Sequence, residues 1–145
     1  MIVRRLTEDE AINSFCCGDA DLDDFIINES MLYCKSLLSA NYIMEEYDNT
    51  VAFFSLLNDK ISIHEFDNKT NFNRFRSHKF VNKKRIQSYP AVKIGRFAIE
   101  NKFQGSGIGS MLLDFIKGYF IINNKTGCRF RDCKLNCVKT TIKEV

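Results

Sequence analysis

The segment Gln104-Gly105-Ser106-Gly107-Ile108-Gly109-Ser110 carries three glycines in alternate positions, just ahead of a run with helical periodicity. The first turn of a helix leaves backbone N–H groups without partners and a partial positive charge at its end. Glycines placed there let a ligand approach the backbone closely, so the arrangement suits an anion, and a phosphate-bearing cofactor is the natural occupant. Two nucleotide motifs are excluded by the residues themselves. Gly-x-x-x-x-Gly-Lys-Ser/Thr is absent, and the dinucleotide pattern Gly-x-Gly-x-x-Gly needs glycine where Ser110 stands.

Other residue types capable of chemistry stand in less telling company. Glu100, just upstream, could take a proton from an amine or simply serve the turn, and the turn is favoured. His64 and His78 could act as bases, but they fall in a polar stretch without periodicity, where surface positions are the plainer reading. Cys16 and Cys17 would be nucleophiles only beside a cation or base that lowers the thiol pKa; no neighbouring residue offers one, so burial is expected instead. The six cysteines (Cys16, Cys17, Cys34, Cys128, Cys133, Cys137) contain no Cys-x-x-Cys, and both histidines are distant in sequence, so no metal site is expected. From Asn68 to Ile99 there are nine basic residues (Lys69, Arg74, Arg76, Lys79, Lys83, Lys84, Arg85, Lys93, Arg96) and no Asp or Glu. Interleaved with Phe72, Phe75 and Phe80, they could grip a phosphate backbone and stack on bases; a solvated basic loop is the bland alternative.

The elements that must position these residues are legible from pattern. Ile2 to Leu6 reads as a strand, and Thr7 with Glu8 and Glu10 reads as a capped helix start. Asp19 or Asp21 can cap a helix whose Leu22, Phe25, Ile26, Glu29 and Tyr33 keep a 3.6-residue period, a stripe suited to packing on a sheet or to docking a partner peptide. Asn41 to Leu57 reads as a hairpin turning at Tyr47-Asp48-Asn49-Thr50. Ser62 to Ser88 lacks a clean period and reads as loop with one short helix. Ala91 to Glu100 is a strong strand, and Ser106 to Ile122 a helix with Ile108, Leu112, Phe115, Ile116 and Tyr119 on one face. Cys128 to Val138 alternates weakly, as one further strand would.

A chain of 145 residues with 45% hydrophobic residues and one Pro can bury a core and is too short for two large domains, so a single domain spanning 1–145 is expected. The net charge of +3 is mild. No apolar run reaches the roughly 20 residues of a membrane span, and Met1 to Glu8 lacks the apolar stretch of a signal peptide. A cytoplasmic protein with free thiols and no membrane partner is expected.

Gln104, Gly107 and Gly109 satisfy Gln/Arg-x-x-Gly-x-Gly/Ala, which resembles the pyrophosphate-binding signature of the Gcn5-related N-acetyltransferase family. Gly95-Arg96-Phe97-Ala98-Ile99-Glu100 resembles that family's fourth strand. Phe15-Cys16-Cys17-Gly18 through Phe25, Tyr89-Pro90-Ala91-Val92 and Gly127-Cys128-Arg129-Phe130 resemble a bacterial subgroup that includes acetyltransferase toxins of toxin-antitoxin pairs. The resemblance implies an α/β fold: a mixed, mostly antiparallel sheet flanked by helices, its fourth and fifth strands splayed around acetyl-CoA. It implies that the backbones of Phe97, Ala98 and Ile99 contact the acetyl-pantetheine end. Gln104 then opens a cradle in which the amides of Gly105, Ser106, Gly107, Ile108, Gly109 and Ser110 hold the pyrophosphate. The implied reaction moves acetyl from acetyl-CoA to a primary amine of a small molecule or an aminoacyl-tRNA, with an antitoxin as partner in the toxin-like case.

After Phe130 the match ends. Arg131 to Val145 is an unpatterned basic tail without the tyrosine that serves the family as general acid, so the catalytic residues stay unassigned. A truncated, inactive relative that binds CoA or a protein is the alternative expectation. An unfinished sheet edge would invite a homodimer.

Overall fold

The computed structural model describes residues 1–12, 14–77 and 86–121. Its elements are β1 (Ile2–Arg5), α1 (Ala20–Asp24), α2 (Ser30–Lys35), β2 (Ala40–Glu46), β3 (Asn49–Ser62), α3 (Lys69–Ser77), β4 (Ser88–Ile99) and α4 (Ile108–Ile121). The strands form one antiparallel sheet in the order β1-β2-β3-β4. Helices lie on both faces, as an α/β chain with this alternation requires. Among the described residues no helix is long and apolar enough to cross a membrane. The expected strand from Cys128 to Val138, the tail from Arg131, and His78, Lys79, Phe80, Lys83, Lys84 and Arg85 lie outside the described residues.

The sheet centre follows from alternation along β3. Phe53, fully buried, faces Phe25, Ile26, Ile43 and Ala98 on one side; Phe54 faces Met44, Leu56, Ile108, Leu112 and Ile116 on the other. Each apolar side chain therefore meets a helix whichever way the pleat turns it. The hairpin turns through two residues, with Glu46 opposite Asn49, and both turn residues are left-handed: φ is +48° at Tyr47 and +64° at Asp48. That conformation matches the right-handed twist of the flanking strands. β3 runs on to Ser62, past the expected end at Leu57, because β4 begins at Ser88 and pairs with it throughout.

Two local expectations are corrected. Thr7 starts only a single turn: its N–H donates to Glu10 Oε2 at 3.3 Å, but Arg4 takes the same carboxylate at 2.9 Å and ties it to β1. Ile12 and Phe15 are then buried from a non-helical segment, so burial outweighs the cap signal. In the stripe after Asp19, which caps α1 by accepting from the Leu22 N–H, Glu29 is exposed and Ser30 buried. The cause is a π-helical turn, Phe25–Glu29, with the Ser30 N–H bonded to Phe25 C=O. One extra residue in the turn advances the inward face by one position. The stripe is core: Phe25 and Ile26 are buried and Leu22 and Tyr33 pack against them.

β4 carries a further irregularity. Ser55 pairs with Arg96 while Leu56 pairs with Ile94, leaving Gly95 as the extra residue of a bulge. A Cβ at Gly95 would sit 2.0 Å from Leu57 Cδ1 and 3.1 Å from Ser55 Oγ, so only glycine fits without displacement.

Candidate functional site

β4 ends at Ile99, and the chain then turns through Glu100 and a short 3-10 segment, Asn101–Phe103, into the glycine loop. The Glu100 N–H donates to Val51 C=O at 2.9 Å and its C=O accepts from the Phe103 N–H at 2.8 Å. Its backbone thus makes the turn, as the favoured reading of Glu100 has it.

Gly105 and Gly107 have φ of +74° and +82°, in the left-handed region that favours glycine, and a Cβ at either would meet nothing within 4 Å. Among the described residues the space in front of the loop is open. Met111 N–H to Gly107 C=O, at 3.1 Å, is the first bond of α4, so the N–H groups of Ile108, Gly109 and Ser110 have no intrahelical partner. Gly109 plays another part. A Cβ there would lie 3.9 Å from Phe97 Cε1 and 4.0 Å from Ile99 Cγ1, so alanine would also fit where α4 leans on β4.

Gln104 is exposed but reaches back behind the loop. Its two Nε2 N–H donors are shared among Cys17 C=O at 2.8 Å, Asn101 Oδ1 at 3.0 Å and Ile99 C=O at 3.1 Å. Asn101 adds its own N–H to Cys16 C=O at 2.8 Å and Nδ2 to Cys16 Sγ at 3.4 Å. The Cys16-Cys17-Gly18 segment is therefore the strut behind the loop, a contact that spacing along the chain could not reveal. Replacing Gln104 with Ala removes three donor contacts and leaves carbonyls to water; we expect about 1–2 kcal/mol of lost stability, measured by denaturant unfolding, with weaker ligand binding than in the wild type.

The cysteines divide by environment. Cys34 is buried, Cys17 half-buried and Cys16 exposed, so the expected burial of Cys16 is corrected: its thiol lies outside the core, facing Asn101. Burial and then the hydrogen bond to Asp23 push the Cys17 thiol up to about 11. Its thiolate is favoured only above that pH, so at pH 8 about one molecule in a thousand carries it. Iodoacetamide labelling followed by mass spectrometry should find Cys16 modified well before Cys17, with Cys17 catching up only as the pH approaches 11.

The remaining candidates lie elsewhere. His64 is exposed on the 3-10 turn Ile63–Glu65, beyond the end of β3 that pairs with Ser88. That end is separated from the glycine loop by the length of β4, ~35 Å. α3, with Lys69, Arg74 and Arg76, follows that same end. Phe72 is buried there, with Phe66 at 5.4 Å and Tyr89 at 6.2 Å between ring centres, so it is core and not a stacking platform for bases. Phe97, Ala98 and Ile99 form the last residues of β4, which among the described residues is paired only on its β3 side.

No protein-family model matches the sequence, and no curated protein matches it. Solved structures do. A mutant of the toxin AtaT bound to the C-terminus of the antitoxin AtaR and acetyl-CoA is 17% identical, with a TM-score of 0.63 over 88% of this chain and 70% of that one. A mutant of KacT is 19% identical, with a TM-score of 0.67 over 88% of this chain and 73% of that one. AtaT complexed with acetyl-methionyl-tRNAfMet is 17% identical, with a TM-score of 0.63 over 85% of this chain and 72% of that one. The shared backbone, with the sheet order and the strand–glycine loop–helix passage described above, shows that the chain has the Gcn5-related N-acetyltransferase fold.

Proposed function

We propose that this chain binds acetyl-CoA at the glycine loop and transfers its acetyl group to a primary amine. The observation that carries the reading is the loop itself: two left-handed glycines with open space before them among the described residues, at the N-terminus of a 14-residue helix that follows β4, a strand paired only with β3 among the described residues. A diphosphate fits such a cradle, because backbone N–H groups and the helix dipole favour negative charge without burying a counter-ion. The amides of Gly105, Ser106, Gly107, Ile108, Gly109 and Ser110 would hold it. Gln104, through its contacts to Cys17, Ile99 and Asn101, would keep the loop in shape. The backbones of Phe97, Ala98 and Ile99 would align the pantetheine arm and offer an N–H to the thioester oxygen as negative charge develops there. When bound, acetyl-CoA supplies the activated acyl group, so the chain's main task is to bring a neutral amine to it in the right orientation.

The more specific form of this reading is toxin-like: an aminoacyl-tRNA amine as acceptor and an antitoxin as partner. It is supported by the similar structures, in which AtaT is bound to the C-terminus of the antitoxin AtaR and acetyl-CoA, or complexed with acetyl-methionyl-tRNAfMet. Lys69, Arg74 and Arg76 on α3, with Lys93 on β4, would add cationic surface for a nucleic acid. Calorimetric titration of acetyl-CoA into the full chain tests the reading, followed by a thiol-release assay on a panel of amines that includes aminoacyl-tRNA. Binding with thiol release on one acceptor is the expected result. Binding without release on any acceptor would select the inactive CoA-binding relative, and no binding by the folded chain would overturn the proposal.

A further inference from the structure

Ile108, Leu112 and Ile116 seat α4 on the sheet. Met111, Phe115 and Tyr119 follow one another at intervals of four and so form a second line along the helix, beside the buried one. Among the described residues they remain 48%, 42% and 47% exposed. The Tyr119 ring is held in place, 6.2 Å from that of Phe115 and 6.1 Å from that of Tyr42 on β2. Helix faces turned away from a sheet are ordinarily polar. Three large apolar side chains in line there form a surface suited to another apolar element.

Gly118 is an independent sign. It lies on the same face, three residues beyond Phe115 and inside a 14-residue helix, where glycine is less favourable than any residue but proline. Neither usual reason for a glycine holds: its backbone is helical rather than left-handed, and a Cβ there would meet nothing within 4 Å among the described residues. What glycine provides at such a place is a notch beside Phe115, open to a side chain from outside. Along the edge of this face run an acid and a base, Asp114 and Lys117, joined at 2.9 Å and both exposed.

We propose that this face docks a second copy of the chain, α4 against α4, antiparallel about a two-fold axis. The face is complementary to itself in that arrangement. With the axis between Ile116 and Lys117, Phe115 of each helix falls over Gly118 of the other, so bulk meets notch twice. The same register brings Asp114 of each copy within reach of Lys117 of the other, so the edge charges match when the helix is turned end for end. Met111 and Tyr119 extend the apolar contact along the helix. One helix per copy is a small contact for a permanent dimer, and a reversible dimer in the micromolar range is expected. None of the residues from Gln104 to Ser110 takes part, so the inference stands apart from the reading of the glycine loop.

Sedimentation equilibrium of the full chain across the micromolar range tests it, and the wild type should exchange between monomer and dimer. Phe115→Glu should weaken association at least about tenfold. Gly118→Leu should do the same while raising the melting temperature of dilute, monomeric samples, because leucine suits a helix better and meets no described atom. A glycine of local importance only would leave association unchanged. Asp114→Lys and Lys117→Asp should each weaken association by setting like charges face to face. Mixed together, these two variants should associate again, because every crosswise pair in the heterodimer is of opposite sign. Should Phe115→Glu not fold, the glycine and charge variants carry the test. A wild type monomeric throughout would overturn the inference and leave the face to residues 122–145 or to another protein. A dimer unmoved by Gly118→Leu and by both charge variants would overturn it too, placing the contact elsewhere, as on the β4 edge. So would a mixture of the charge variants that associates no better than either alone.

Discussion

Gly107→Glu should abolish measurable acetyl-CoA binding while leaving the chain folded. At Gly107 φ is +82° and a Cβ would meet no atom within 4 Å, so the substitution brings no steric clash with the protein. Its cost to the fold is the left-handed conformation, about 1–2 kcal/mol, partly offset by placing a carboxylate at a helix N-terminus. The ligand meets a different situation. The carboxylate enters the space a diphosphate would fill, and two like charges about 4 Å apart repel by about 4 kcal/mol at the effective dielectric near a protein surface. That alone predicts a loss of about 10³-fold in affinity, before the lost volume is counted. Gly107→Ala carries the same backbone strain without the charge and should bind with an intermediate affinity. Calorimetry on both variants, with thermal melts to establish folding, separates the effects: a folded Gly107→Glu chain that binds like the wild type would remove the cradle from consideration.

Phe53→Ala should have the largest effect on stability. Phe53 is fully buried at the middle of β3, in register with Ile43 and Ala98, and its ring lies 6.3 Å from that of Phe25. Truncation removes the whole phenyl group from a position walled by two strands and the α1–α2 helices, which can close the gap only in part. The expected cost is about 3–5 kcal/mol, a large share of the 5–15 kcal/mol that holds an ordinary domain together. Phe53→Leu keeps most of the volume and should cost under about 1.5 kcal/mol. Urea unfolding of the pair checks this, and a Phe53→Ala variant as stable as Phe53→Leu would mean that Phe53 is not the centre of the core. Because Phe53 also supports Phe25, on which the Arg96 guanidinium is stacked, the same variant should loosen that stack.

The parts of this protein legible in its residues are those in which cause and consequence lie within a few positions of each other. Alternating apolar residues marked the hairpin and β4; the 3.6-residue period of Ile108, Leu112 and Ile116 marked α4; and glycines between them marked a loop that needs positive φ. Gln104, Gly107 and Gly109, together with the strand Gly95 to Glu100 before them and the segment Phe15 to Phe25, suggest the family whose fold the chain has. Two local readings failed where tertiary contacts outweighed them. The helix signal at Thr7 lost to Arg4 and to the burial of Ile12 and Phe15, and the stripe through Glu29 was displaced by one residue because a π turn better aims Phe25 and Ile26 at the sheet.

What residue order could not convey is which distant groups meet. Gln104 reaches Cys17 across 87 residues and Asn101 reaches Cys16 across 85, so the strut behind the glycine loop exists only once the sheet has formed. Arg96 reads in sequence as one basic residue among nine; strand register sets it opposite Ser55, and the π turn brings Phe25 beneath its guanidinium. Backbone propensity and periodicity act over a turn or two of chain, whereas a guanidinium stacked on an aromatic ring 71 positions away is a property of packing, created when strands and helices are brought together by the burial of their apolar faces.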